Sequence, residues 1–230
     1  SPQKDLSALR GALRGLSPAA GGPIMCLSRQ DIRLFPGHVE FEAVSRQDIQ
    51  RIHLPIPGGF TIYNALAAAS AAYVLGLPGS AVETGLAGFT GAGRRFEYKG
   101  EYCGAKVYDD YAHHPDELHA LLTMARQLGY QRLVVAFQPH TYTRTAALFD
   151  DFVNVLRQAD RVVLAEIYAA RETNELGISS RDLAKEIPGS IYCETLPEVT
   201  ECLKKLARPG DVILTVGAGD IYRAGGALLR

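Results

Sequence analysis

A chain of 230 residues with 24 Lys+Arg against 25 Asp+Glu carries a net charge of −1, so it has no field to draw nucleic acid or an anionic membrane. At 47% hydrophobic and 21% charged residues it can build a real core for one large or two small domains, and the composition of a disordered chain is excluded. The longest apolar stretch, Ala65–Leu77, is interrupted by Ser70 and Gly76 and is too short to span a bilayer.

The first residues, Ser1-Pro2-Gln3-Lys4-Asp5, have no signal-peptide character, and a start without Met reads as a piece of something longer. Leu6, Leu9, Leu13 and Leu16 suit one short amphipathic helix, followed by a Pro/Gly-rich linker to residue 22. Short strands are predicted at Ile24–Leu27, Val39–Val44 and Ile49–Leu54, bounded by turns such as Pro36-Gly37. An Ala-rich helix over Asn64–Leu77 and a second over Ser80–Leu86 follow, then a linker at Gly88–Gly93. We place a domain boundary there, giving units 1–93 and 94–230.

From residue 94 the pattern is regular. Phe96–Cys103 and Ala105–Asp109 read as paired strands. Pro115 opens a helix whose apolar face is Leu118, Leu121, Leu122, Ala125 and Leu128, with Gly129 after its end. Then come strand Leu133–Phe137, helix Ala146–Leu156, strand Val162–Ile167, helix Ser179–Glu186, strand Ser190–Cys193, helix Pro197–Leu206, strand Val212–Val216 and helix Asp220–Leu229. Strands that are continuous apolar runs alternating with helices predict an α/β domain: a Rossmann-like, mostly parallel sheet with helices on both faces. Cys26, Cys103, Cys193 and Cys202 form no C-x-x-C and have no His at metal-ligand spacing, which suits reduced thiols in a cytoplasmic protein.

Open α/β sheets bind ligands outside the carboxyl ends of their strands. Four such ends here carry polar segments: Asp109-Asp110-Tyr111-Ala112-His113-His114-Pro115, Gln138-Pro139-His140-Thr141-Tyr142-Thr143-Arg144-Thr145, Tyr168-Ala169-Ala170-Arg171-Glu172 and Gly217-Ala218-Gly219-Asp220-Ile221. The opposite strand ends read as lacking such residues. An aspartate at a strand end can accept ribose hydroxyls, and an arginine offers a fork for a carboxylate or phosphate. Arg144, placed just before a helix, opposes the helix dipole, while the helix N-terminus beside it would offer N–H groups to an anion. Each segment also has a plainer reading: Asp109 and Asp110 as a turn, His113-His114 as a helix cap, Gly217-x-Gly219 as a packing turn. Asp109, Asp110, His113 and His114 could also suggest a metal phosphoesterase, but no further ligand stands at suitable spacing. Tyr222 breaks G-x-G-x-x-G, and no lysine follows a glycine, so the chain has no P-loop.

Taken together, Arg94-Arg95-Phe96-Glu97, D-D-Y-A-H-H-P at 109–115, F-Q-P-H-T-Y-T-R-T at 137–145 and Gly217-Ala218-Gly219-Asp220-Ile221 resemble the Mur ligases, almost continuously over residues 94–230. Gly59-Phe60-Thr61-Ile62-Tyr63-Asn64-Ala65-Leu66-Ala67-Ala68 resembles the end of that family's central ATPase domain, with Phe60-Thr61 where the family has His-Asn. The resemblance implies the carboxyl-terminal half of an ATP-dependent amide-bond-forming ligase, acting through an acyl phosphate, with residues 1–93 as the remainder of the ATPase domain. Within the family it points to the member that joins L-alanine to UDP-N-acetylmuramate in peptidoglycan precursor synthesis. It further implies ATP as cosubstrate, contacted by Asn64, Arg95 and Asp110, and Mg²⁺ whose ligands lie mostly outside this chain, with no metal ligand assigned within it. Tyr111, His140 and Arg144 would receive the amino acid, Arg144 taking its carboxylate, and His114 would be catalytic. Thr141 stands where many members carry a second Arg. The implied partners are the two substrates and the amino-terminal half of the same ligase. A binding module derived from such a ligase, without catalysis, is the alternative.

Overall fold

A computed structural model describes residues 28–35, 38–44, 49–56 and 58–230. The strand expected at Ile24–Leu27 and the helix expected over Leu6–Leu16 lie outside the described residues. The chain divides into two compact units, Ser1–Phe89 and Thr90–Arg230.

In the first unit β1 (Ser28–Leu34), β2 (Val39–Val44) and β3 (Ile49–Leu54) form an antiparallel sheet in that order. Alternation decides its faces: Val39, Phe41 and Ala43 of β2 with Ile52 and Leu54 of β3 are buried against Ile62 and Ala65 of the following helix. That helix, α1 (Phe60–Val74), starts four residues before the predicted Asn64. Gly58, at φ 101°, turns the chain early, and its carbonyl accepts from both Thr61 N–H and Thr61 Oγ1. Gly76, at φ 77°, ends the helix, its N–H donating to Tyr73 O. Then comes α2 (Gly79–Ala87).

The second unit is built on a six-stranded sheet of order β4-β5-β9-β6-β7-β8, from β4 (Glu97–Tyr102), β5 (Ala105–Asp110), β6 (Arg132–Phe137), β7 (Arg161–Ala165), β8 (Ile191–Cys193) and β9 (Asp211–Val216). β4 is antiparallel at one edge and every other pairing is parallel. Helices α3 (Pro115–Gln127), α5 (Phe149–Leu156) and α6 (Ser180–Glu186) cover one face, burying Leu118, Leu122, Phe152, Leu156 and Leu183 against Leu133, Val135 and Phe137. α7 (Leu196–Leu206) and α8 (Tyr222–Leu228) cover the other, with Val199, Leu203 and Leu228 over Val107, Val134 and Ile213. Strands buried on both faces explain the unbroken apolar runs in the sequence.

The helix expected at Ala146–Leu156 is two helices. α4 (Tyr142–Ala147) and α5 meet at Leu148, whose φ of −115° and ψ of 25° break the regular backbone. Arg144 therefore lies inside α4 rather than before a helix. Register aligns the carboxyl ends: Asp110 pairs with Val216, and Val216 with Phe137. The amino ends are not free of charge, contrary to expectation. Arg132 donates two bonds to Asp211, Nε to Oδ1 at 2.8 Å and Nη2 to Oδ2 at 2.6 Å, and the Asp211 side chain is fully buried. Arg208 N–H and the Arg132 bond to Leu206 O complete that cluster, and no buried side-chain atom of Arg132 or Asp211 is left without a partner.

Removing one partner of a buried pair strands the other, at about 3–5 kcal/mol. Asp211→Asn is therefore expected to lower the melting temperature of the chain by about 6–20 °C, at about 2–4 °C per kcal/mol for a domain of this size. Calorimetry checks this; a shift below about 2 °C would mean the pair only balances its own desolvation.

Candidate functional site at the carboxyl edge of the sheet

The floor of this edge is organised by Arg94, just before β4. Its Nε donates to Asp109 Oδ2 at 2.9 Å, Nη2 to Gly217 O at 2.5 Å and Nη1 to Gly219 O at 3.1 Å. Asp109, at the end of β5, also accepts from Thr215 Oγ1 of β9 at 2.9 Å. Burial pushes the Asp109 carboxyl up, and the bonds from Arg94 and Thr215 act against that. The guanidinium carbon lies 4.9 Å from the centre of the Tyr111 ring and 4.8 Å from that of Tyr222. One arginine thus fixes the ends of β5 and β9 and the glycine turn that follows.

That turn needs its glycines. Gly217 has φ 146°, and a Cβ there would lie 2.6 Å from Gln138 O; at Gly219 it would lie 2.7 Å from Tyr168 Cγ. Gln138 closes the turn from the β6 side, donating to Asp220 Oδ1 and accepting from Ile221 N–H. The packing-turn reading of Gly217-x-Gly219 is what the structure shows.

Asp110 uses both carboxylate oxygens on backbone: Oδ2 accepts from Phe96 N–H at 2.7 Å and Oδ1 from Ala112 N–H at 2.8 Å. Burial pushes its carboxyl up as well. Each oxygen keeps a lone pair beyond those bonds. His114 caps α3: its Nδ1 accepts from Asp116 N–H, while Glu117 accepts from the N–H groups of His113 and His114. The cap reading applies to His114, whose Nε2 stays available.

The open part of the edge is formed by Tyr111, His113, His140 and Arg144. The His140 ring lies 5.5 Å from that of Tyr168, at an interplanar angle of 21°, and 6.0 Å from that of His113. Tyr111 is exposed and meets His113 edge-on at 5.5 Å. Two nitrogens here, His140 Nδ1 and Arg144 Nη1, are buried without a hydrogen-bond partner among the described residues. Burial lowers the pKa of His140, and the Arg144 charge lowers it further, so the imidazole is neutral at pH 7. No ion pair joins Arg144 to Asp150 or Asp151 among the described residues.

The amino end of α4 is not free for an anion, as the sequence had suggested. Glu172 occupies it, accepting from Thr143 N–H at 3.0 Å and from Thr143 Oγ1 at 2.5 Å, and these bonds hold its carboxyl below the usual range. Thr141, which caps this helix, has φ 69° and is held by its N–H bond to Tyr168 O. Arg95 is exposed, its guanidinium 5.7 Å from the centre of the Tyr111 ring. Asn64 lies in the first unit on α1, where it lines an apolar hollow of about 420 Å³ with Ala65, Ala68, Leu86 and Phe89. Sequence reasoning assigned no role to Arg94, Gln138 or Glu172. Arg94 stood inside a quoted motif, but only the fold shows that it, not Arg95, turns into the sheet edge.

Residues 94–219 match the family described as Mur ligase, glutamate ligase domain. The UDP-N-acetylmuramate–L-alanine ligase of Lachnospira eligens is 44% identical over 191 residues, covering 81% of this chain and 42% of that protein. The enzyme of the same name from Mycolicibacterium smegmatis is 46% identical over 182 residues, covering 77% and 38%. The crystal structure of UDP-N-acetylmuramate-alanine ligase MurC from Thermotoga maritima superposes with a TM-score of 0.72 at 27% identity, over 88% of this chain and 45% of that one. The chain thus spans about two-fifths of the length of the curated relatives it matches. With a domain match over more than half its length and relatives above 40% identity over most of it, the chain belongs to the Mur ligase family.

Proposed function

We propose that this chain is the carboxyl-terminal part of an ATP-dependent ligase that joins L-alanine to UDP-N-acetylmuramate through an acyl phosphate. In this reading residues 1–93 complete a central ATPase domain and residues 94–230 receive the amino acid. The observation that carries it is the pair of buried, unpartnered nitrogens on His140 and Arg144. The opposite edge of the same sheet satisfies its buried charge internally. A buried guanidinium N–H without an acceptor costs free energy unless a ligand supplies one. A carboxylate is the acceptor whose shape fits the fork.

Arg144 binds the alanine carboxylate beside His140, and Tyr111 contacts the same amino acid. The α-amine must lose a proton before it attacks a carbonyl, and the neutral imidazole of His140 stands ready to accept one. His114, its Nδ1 held by the helix cap, has Nε2 left for proton transfer. ATP would be contacted by Asn64 at the base, Asp110 at the ribose and Arg95 at the phosphates; Mg²⁺ bound with ATP supplies charge neutralisation of the phosphates. The guanidinium of Arg95, exposed and without a hydrogen bond among the described residues, suits that role. We also place the protein in the cytoplasm, with reduced thiols; among the described residues Cys103, Cys193 and Cys202 are free and no helix is long and apolar enough to cross a membrane.

Titrating L-alanine into the chain, followed by NMR, tests the reading. Saturable shifts at Tyr111, His140 and Arg144 are expected, and L-alaninamide, which has no carboxylate, should not produce them. Arg144→Lys keeps the charge but loses the fork, so affinity should fall roughly tenfold to a hundredfold, from about 1.5–3 kcal/mol for a charge-assisted bidentate contact. Equal binding of acid and amide, or an unchanged Arg144→Lys, would overturn the assignment.

A pH dependence follows from His140. Its folded-state pKa is lowered, so the stability it contributes is present above the unfolded value of about 6.5 and is lost as pH falls through the folded value. A bound carboxylate beside it should raise that pKa. The His140 ring-proton titration is expected to move up on adding L-alanine, and to stay put if the carboxylate binds elsewhere.

A further inference from the structure

We propose that the solvent face of the first unit's sheet binds one divalent transition-metal ion of the zinc class through His38, Glu40 and His53. The alternation that buries Val39, Phe41 and Ala43 turns Glu40 and Glu42 to the opposite face. The antiparallel register sets His53 of β3 directly across from Glu40. His38, two residues before Glu40, falls on the same face, and its ring is held by stacking on Phe35 at 4.2 Å and 9°. Three donors spread over fifteen positions of sequence, His38 to His53, are thereby brought together by strand pairing.

Glu40 Oε1 lies 3.7 Å from His38 Nε2 and 3.6 Å from His53 Nδ1, and one donor from each of the three residues falls within 4.8 Å of the other two. Bonds of about 2.0–2.2 Å at tetrahedral angles separate donors by about 3.3 Å. Small rotations of partly exposed side chains close that difference. Two imidazoles and a carboxylate suit zinc, cobalt or nickel, whereas magnesium and calcium take oxygen donors. Three protein ligands leave the fourth position to water.

The neighbouring charges on this face are already matched. Asp31 pairs with Arg33 at 3.1 Å, and Glu42 takes Gln30 at 2.9 Å and Arg51 at 3.7 Å. Glu40 is left to the two imidazoles, beside a hollow of about 330 Å³ through which an ion can enter. The ion would tie the β1–β2 turn to β3.

The test uses the whole chain, freed of metal with a chelator, with Co²⁺ as the spectroscopic probe and Zn²⁺ as competitor. One equivalent of Co²⁺ should give the visible bands of four-coordinate cobalt without thiolate charge-transfer bands, and Zn²⁺ should displace it. Glu40→Gln and His53→Ala should each weaken Zn²⁺ binding by at least about a hundredfold, more than the 10–100-fold cost of losing an outer-shell partner. Glu42→Gln should leave it unchanged. All three substitutions are at the surface and should keep the metal-free melting curve. No binding at one equivalent, thiolate bands that place the ion on cysteines, or equal affinity in wild type, Glu40→Gln and His53→Ala would overturn the proposal.

Discussion

The carboxyl edge of the second sheet depends on one arginine. Arg94 joins three things that are distant in sequence: the carboxylate ending β5, the carbonyls of the turn after β9, and two aromatic rings. Parallel strands place their carbonyls and acidic ends on one edge, where several partial and full negative charges would otherwise face each other. A guanidinium has enough donors in one plane to satisfy a carboxylate and two carbonyls together. Without it, Asp109 would remain buried with Thr215 as its side-chain donor. The Arg94 contacts therefore fix the ends of β5 and β9 and the turn after β9 relative to one another.

The two edges of this sheet use the same chemistry to different ends. At the amino edge Arg132 and Asp211 meet in a closed, bidentate pair. At the carboxyl edge Arg94 donates a single bond to Asp109, and a second cation, Arg144, stands at the same edge beside His140 with a buried nitrogen that has no partner among the described residues. Counting charged residues at strand ends does not separate these cases, because both edges carry them. Counting unsatisfied donors does.

Much of the fold was legible in the sequence for a simple reason. Short apolar runs such as Leu133–Phe137 and Val212–Val216, alternating with helices, suit strands covered on both faces, and the amphipathic spacing from Leu118 to Ala125 has one helical face. β1 escaped because Ser28–Leu34, S-R-Q-D-I-R-L, is an edge strand whose polar residues carry no alternation. The split between α4 and α5 escaped because Leu148 looks like any other helical leucine. Of the site, the residue types and the strand ends were readable, but who bonds to whom was not. Asp110 reads as a turn residue or an acceptor of ribose hydroxyls and is engaged by two backbone N–H groups; Glu172, far along the chain, takes the helix end that an anion would have used. The grouping of His38, Glu40 and His53 is purely a matter of register, which a linear spacing rule does not contain.

In the proposed reading, Glu172 bears on how an anion is selected at this edge. A helix N-terminus binds any anion of suitable size, since its N–H groups carry no shape of their own. Filling that position with a side chain of the same chain removes the indiscriminate site and leaves the planar fork of Arg144, which favours a flat carboxylate or a phosphate face. The φ of 69° at Thr141 is part of the same device. It costs about 1–3 kcal/mol for a residue with a Cβ, and it is held by the Thr141 N–H bond to Tyr168 O and by the Thr145 N–H and Oγ1 bonds to Thr141 O. Relaxing Thr141 would move Arg144, three residues on, relative to His140. Strain, helix cap and unpaired guanidinium are therefore one arrangement, in which backbone conformation holds a partly buried cation whose buried nitrogen is left unmatched among the described residues.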